Sequence, residues 1–207
     1  MRSLLAVGLG YLVLCGHTLW SHRAPPPPVP QRASSSPARC ATPGLGSPEA
    51  RKWFCDVKPN CNSLEVTARV QQQPPPAGWD GAGYAAACFA LAGRIDDARA
   101  RLGASDRAPQ SSQILFEISH PVADRGDDLS SGPMMDLVLE FWPENFQAMY
   151  HAGMSAYGQK DFVKAKAQLE RFREMYKNED FFGQNAKRAL ERMGQGLGPE
   201  SPNPGAH

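Results

Sequence analysis

Residues 145–176 of the chain read NFQAMYHAGMSAYGQKDFVKAKAQLERFREMY, and this stretch carries the pattern of two helices joined by a short polar turn. Small side chains recur at helical spacing in the first half, where they would let a second helix approach closely. Larger apolar side chains recur on one face of the second half. The small residues are Ala148, Ala152, Gly153 and Ala156, and the second set is Phe162, Ala165, Leu169 and Phe172. The stretch therefore predicts a helical hairpin that stacks on similar hairpins.

This hairpin resembles a tetratricopeptide (TPR) repeat. The matching residues are Ala152-Gly153 in the first helix, Lys160-Asp161-Phe162 at the turn, and Ala165, Leu169 and Phe172 in the second helix. A second stretch resembles the TPR inter-helix turn at Gly93, Ile95, Ala98 and Leu102. The two turns lie about two repeat lengths apart for a unit of about 34 residues. The resemblance implies an all-α fold, a short TPR-like α-solenoid of antiparallel helix pairs, with disordered N- and C-terminal segments.

The predicted helical domain covers residues 49–193. Besides the hairpin at 145–176, helix pairs are predicted over residues 49–72, 81–102 and 111–142, with a closing helix over 181–193. The pair at 111–142 departs from the TPR pattern in two ways. We expect Pro121 to break its first helix, and the connection from Ala123 to Gly132 is longer than a normal TPR turn.

The segments outside this domain predict an exported protein. Residues 1–23 combine Arg2 with an apolar run from Leu4 to Leu14, which is typical of a cleaved signal peptide or of an uncleaved membrane anchor. A lipid anchor on Cys15 is a third reading of the same segment. Residues 24–48 form a proline-rich spacer, and the glycine- and proline-rich residues 194–207 form a disordered tail. The chain is therefore expected to be secreted, periplasmic or membrane-anchored through its N-terminal segment.

Composition and motifs exclude several classes of function. The 207-residue chain has a formal net charge of +1, which argues against nucleic-acid binding, because binding to phosphates needs a strongly basic surface. No catalytic or phosphate-binding motif is present, so we expect no enzyme activity and no cofactor. His120 and His151 each stand alone in the sequence, and no metal site is predicted at either of them.

The cysteines leave one pairing open. Cys55 and Cys61 flank the break at Pro59, and an oxidising compartment would allow them to form a disulfide. Two separate thiols in a helical core are the alternative. Cys88 lies in an alanine-rich helix and is expected to be a small core residue.

The TPR resemblance also implies where a partner would bind. In TPR proteins the inner wall of the groove comes mainly from the first helix of each repeat. Carried onto this chain, the wall residues are Gln147, Tyr150, Met154 and Tyr157. The alternative for the two tyrosines is that they complete the packing against the neighbouring helix.

The predicted function is a non-catalytic protein-protein interaction scaffold, tethered at the cell envelope or in the secretory lumen, whose partner is a protein or peptide. The alternative is a calcium-binding module or a small envelope enzyme subunit that uses the acidic loop at residues 124–128. Three carboxylates lie within that loop, at Asp124, Asp127 and Asp128, but their spacing does not match the EF-hand pattern.

Overall fold

The computed structural model describes Cys40 and residues 42–200, and this part of the chain contains only helices and connections. The predicted all-α class is therefore confirmed. The predicted targeting segment 1–23 lies outside the described residues. So do most of the predicted spacer and residues 201–207 of the predicted tail.

Nine α-helices follow one another in the described residues, mostly with short connections. They are α1 Pro48–Val57, α2 Val66–Gln72, α3 Trp79–Leu91, α4 Ile95–Gly103, α5 Ala108–Ala123, α6 Asp128–Phe141, α7 Phe146–Gly158, α8 Phe162–Met175 and α9 Phe181–Gly194. A 3-10 turn, Lys58–Asn60, continues α1. Across these residues, every helix is too short or too polar to span a bilayer.

Consecutive helices pack as pairs, namely α3 with α4, α5 with α6 and α7 with α8. The pairs are connected through contacts of α3 with α5 and of α6 with α7, and α9 packs on α8 and α7. Packed helix pairs are thus a property of the structure, while the TPR arrangement of these pairs stays a prediction.

Local sequence accounts for the hairpin of α7 and α8. The Asn145 side chain accepts a hydrogen bond from the Ala148 N–H at 2.9 Å and begins α7. In the turn, Lys160 adopts a positive φ of 65°, and the Asp161 side chain then caps α8. A Cβ at Gly153 would lie 2.7 Å from the Leu169 side chain, so the small residue permits the predicted close approach of the two helices.

The turn between α3 and α4 also follows the sequence prediction. Gly93 has a φ of 73°, a left-handed conformation that glycine adopts at little cost. The Arg94 N–H donates to the Phe89 carbonyl, which closes the end of α3. Ala98 and Leu102 on α4 are fully buried, as their positions in the repeat pattern predict.

The prediction that Pro121 breaks the helix is wrong, because α5 continues to Ala123. Pro121 lies in the last turn, where the missing N–H removes only one hydrogen bond, and the bond that ends the helix, from Asp124 N–H to His120 C=O, is intact at 2.9 Å. The connection to α6 is correspondingly short. Because α5 continues through Pro121, His120 and Asp124 lie one helical turn apart.

The cysteines pair differently from the prediction. Cys55 is bonded to Cys40 and Cys61 to Cys88, so both alternatives left open by the sequence are wrong: Cys55 and Cys61 neither bond to each other nor remain two separate thiols. The chain stays helical from α1 through the 3-10 turn, so the Cα atoms of Cys55 and Cys61 are separated by about 10 Å along the helix axis. This separation exceeds the Cα–Cα distance of about 4.4–6.8 Å that a disulfide needs. Cys88 is a buried core residue, as expected, but it is also a disulfide partner.

The packed part of the chain begins before Glu49. The Tyr84 hydroxyl donates to the carbonyl of Leu45 at 3.0 Å, and the Ser47 N–H donates to the Asp80 carboxylate at 2.8 Å. Together with the Cys40–Cys55 disulfide, these bonds attach residues 42–47 to α1 and α3. The C-terminal part of the predicted spacer is therefore in contact with the helices.

Candidate functional site

The four residues predicted to bind a partner lie along one face of α7, at helical spacing. Gln147 is exposed and Met154 is half-buried, whereas Tyr150 and Tyr157 are largely buried against their neighbours. They open into two neighbouring cavities: Gln147 and Tyr150 line the first, and Met154 and Tyr157 line the second. The structure thus brings the four residues to one face but divides them between two sites.

The first cavity, called the aromatic cavity here, has a volume of about 360 Å³. Its walls come from the last turn of α5, the first half of α7, the end of α8 and the start of α9. The lining residues are His120, Asp124, Phe146, Gln147, Tyr150, His151, Phe172, Tyr176 and Phe182.

Stacked rings form most of this wall. Phe146 stacks on Tyr176 with the ring centroids 5.3 Å apart, and Phe182 meets Tyr150 edge-on at 5.2 Å. Burial raises the pKa of Tyr150, and the nearby carboxylates of Asp128 and Asp180 add to the rise, while a hydrogen bond from Asn185 opposes it. The Tyr150 hydroxyl therefore stays protonated at neutral pH and can donate a hydrogen bond to a ligand.

The second cavity, called the arginine cavity here, has a volume of about 260 Å³ and lies between α7, α9 and the chain after α9. Arg192 bonds the Tyr157 hydroxyl at 3.2 Å and the Gly198 carbonyl at 2.9 Å, and it also pairs with Glu200 at 2.8 Å. Residues 195–200 belong to the predicted tail. Main-chain hydrogen bonds to the end of α9 hold residues 195–197, and the Arg192 guanidinium group holds Gly198 and Glu200.

A polar cluster closes one end of the aromatic cavity. Within the described residues, the ligand-type atoms of His120, Asp124 and His151 lie within 4.8 Å of one another. The Asp124 Oδ1 atom is 3.3 Å from Nε2 of His120 and 3.6 Å from Nε2 of His151. The other ring nitrogen of His151, Nδ1, lies 2.8 Å from Oδ1 of Asp128. The four residues form the His/Asp cluster.

The helices determine the geometry of this cluster. His120 and Asp124 lie at i and i+4 at the end of α5, and His151 projects from the middle of α7 with its side chain only 3% exposed. Burial lowers the pKa of His120; the Asp124 carboxylate opposes this shift, and His151 adds to it. The His120 ring also stacks on Phe116, with centroids 4.6 Å apart.

Sequence reasoning missed this cluster because it treated the histidines and the acidic loop separately. The spacing His120-x-x-x-Asp124 would have indicated a shared face, but only if the helix continues through Pro121. No local pattern connects His151, which comes from another helix pair.

The acidic loop itself divides its carboxylates between different partners. The Asp127 side chain accepts from the Ser130 N–H and begins α6. Asp124 and Asp128 instead face the histidines of the cluster. The loop therefore does not bring together the three carboxylates on which the calcium-binding alternative depends.

Comparisons of the chain with protein-family models, with curated proteins and with solved structures find no match. The function proposed for the chain therefore rests on the chemistry of the two cavities.

Proposed function

We propose that the chain is a non-catalytic protein-interaction domain that binds an extended peptide segment along the face of α7 that carries Gln147, Tyr150, Met154 and Tyr157. The observation that supports this most directly is that these residues open into two adjacent cavities of different chemistry. One cavity is aromatic and the other contains guanidinium groups, so a single segment could be recognised at two points.

The aromatic cavity suits one apolar or aromatic side chain of the partner. Its size is in the lower part of the range of small ligand sites, and its rings offer edges and faces for packing. The amide of Gln147 is exposed at the rim and can bond the main chain of an extended peptide. Such a buried side chain would contribute most of the binding energy, as anchor residues generally do.

The arginine cavity suits an acidic residue of the same segment. Arg192 already pairs with Glu200, but Arg188 is exposed, and no ion pair of its side chain occurs within the described residues. Tyr150 and Tyr157 are separated by about 10 Å along α7, which equals about three residues of extended chain. The proposed recognition motif is therefore an apolar residue and an acidic residue about three positions apart.

We also propose that the domain works after export, either secreted or held at a membrane by its N-terminal segment. The two disulfides support this, because such bonds persist mainly in oxidising compartments.

A displayed random-peptide library selected on the full-length chain tests the binding proposal. We expect enrichment of the motif described above, and a loss of affinity of at least about tenfold in Phe182→Ala, because Phe182 lines the aromatic cavity. Phe181→Ala is the matched control, since Phe181 is the preceding residue, is 70% exposed and does not line either cavity.

Two further results test whether the peptide is recognised at both cavities. Arg188→Ala should remove the preference for the acidic residue while the apolar anchor is kept. Selected peptides that bind Phe182→Ala and wild type equally, or that show no shared anchor, would contradict the proposal.

A further inference from the structure

We propose that His120, Asp124 and His151 bind a divalent transition-metal ion of the zinc type, and that Asp128 orients His151 for this task. The geometry of the His/Asp cluster supports this site, which is independent of the proposed peptide binding.

Two of the three distances between donor atoms agree with a shared metal ligand set. In a tetrahedral site with bonds of about 2.0–2.1 Å, neighbouring donor atoms lie about 3.3 Å apart. The Asp124 oxygen lies 3.3 Å from the His120 nitrogen and 3.6 Å from that of His151. The ligand atoms of the two histidines lie within 4.8 Å of each other, so this third distance has to shorten when an ion binds. Asp124 and His120 are the partly exposed members of the set, and their side chains are the ones that we expect to move.

The contact between His151 and Asp128 is the second observation. A carboxylate only accepts hydrogen bonds, so Nδ1 of His151 donates to Asp128 at 2.8 Å. In the neutral ring this leaves the lone pair on Nε2, the atom that faces Asp124. Metal-binding histidines almost always have their second nitrogen fixed in this way by a carboxylate or carbonyl.

The donor types indicate the class of metal. Two imidazole nitrogens and one carboxylate oxygen suit zinc and similar first-row ions, whereas calcium and magnesium prefer sets made of oxygen alone. Three protein ligands leave one position of a tetrahedral ion for water or another donor. That position can be reached from the aromatic cavity, because His120, Asp124 and His151 all line it.

Isothermal titration calorimetry of the full-length chain with Zn²⁺ as the only added ligand tests the site. We expect one zinc ion per chain, a melting temperature that rises with zinc concentration, and no comparable effect of Ca²⁺. His120→Ala and Asp124→Asn should remove this binding event. Asp128→Asn should weaken it by about 10- to 100-fold, as expected for a residue that orients a ligand.

Asp106→Asn is the matched control, because Asp106 is an exposed carboxylate between α4 and α5 and away from the cluster. Circular dichroism of each variant establishes that the helices are retained. The proposal is overturned if the wild type binds no zinc, or if zinc binding persists in both His120→Ala and Asp124→Asn. Stoichiometric calcium binding in place of zinc binding would also overturn it.

Discussion

Gly132 on α6 lies directly against Ser155 on α7, and the two helices meet closely at this point. A Cβ added to Gly132 would stand 2.5 Å from the Ser155 Cβ and 2.0 Å from its Oγ. Both residues are buried, so neither side has solvent into which it could move. The contact joins one helix pair to the next.

Gly132→Ala should therefore destabilise the domain. Alanine improves helix propensity by about 1 kcal/mol, but overpacking of a close contact costs about 1–3 kcal/mol, so the free energy of unfolding should fall by up to about 2 kcal/mol. Urea unfolding followed by circular dichroism measures this change. The control is Gly103→Ala, where the nearest atom to the new Cβ is 4.0 Å away. Equal stability of the two variants would show that α6 and α7 are not packed as described.

The two disulfides give a second prediction. Reduction should lower the free energy of unfolding, by about 3 kcal/mol for a loop of 15 residues and by about 3.5 kcal/mol for one of 27. The measurement is urea unfolding of the full-length chain with and without reductant, together with the Cys40→Ala/Cys55→Ala and Cys61→Ala/Cys88→Ala double variants.

The pairing itself is checked by peptide mapping without reduction. We expect one peptide pair that contains Cys40 and Cys55, and another that contains Cys61 and Cys88. A peptide pair that joins Cys55 to Cys61, one of the two alternatives that the sequence left open, would contradict the structure.

The sequence was informative wherever the fold depends on contacts between residues close in the chain. Gly93 predicted the turn between α3 and α4, and Asp161 together with the small residues of α7 predicted the second hairpin. Pro121 was misread because its position relative to the helix end cannot be known before that end is known.

Contacts between residues far apart in the chain could not be predicted from the sequence. Cys61 finds Cys88 only because α1 and α3 pack together, and His151 meets Asp124 only because α5 and α7 are neighbours. Periodicity indicates which face of a helix is buried, but it does not name the residue on the other side. The candidate site was therefore predicted as a face of α7, while its polar end was not.

Asp80 should make the stability of the domain sensitive to acid. Burial acts to raise the pKa of Asp80, but hydrogen bonds from Ser47 and from the Gly81 N–H outweigh it, so the pKa lies below its ordinary value of 3.8. A carboxyl group whose pKa is lower in the folded state than in the unfolded state stabilises the fold at every pH above its unfolded-state pKa. That contribution is lost as the pH falls through the lower folded-state pKa.

Asp80→Asn should therefore be less stable than the wild type at pH 6, and the difference should shrink as the pH falls below about 4. Urea unfolding at a series of pH values measures it. Asp106→Asn is again the control, as Asp106 is exposed. A difference that stays constant across this pH range would mean that Asp80 is not stabilised as a carboxylate.

Arg192 should control whether the chain after α9 stays bound. Its guanidinium group is shared between the Gly198 carbonyl, Glu200 and the Tyr157 hydroxyl, and no other side chain of α9 bonds residues 195–200 within the described part of the chain. In Arg192→Ala we expect residues 198–200 to detach, while residues 195–197 keep their main-chain bonds to α9, and limited proteolysis after α9 to become several-fold faster. Arg188→Ala, which removes a guanidinium from the same cavity without touching this segment, should be cleaved at the wild-type rate. Equal proteolysis of Arg192→Ala and Arg188→Ala would show that the segment is held by something other than Arg192.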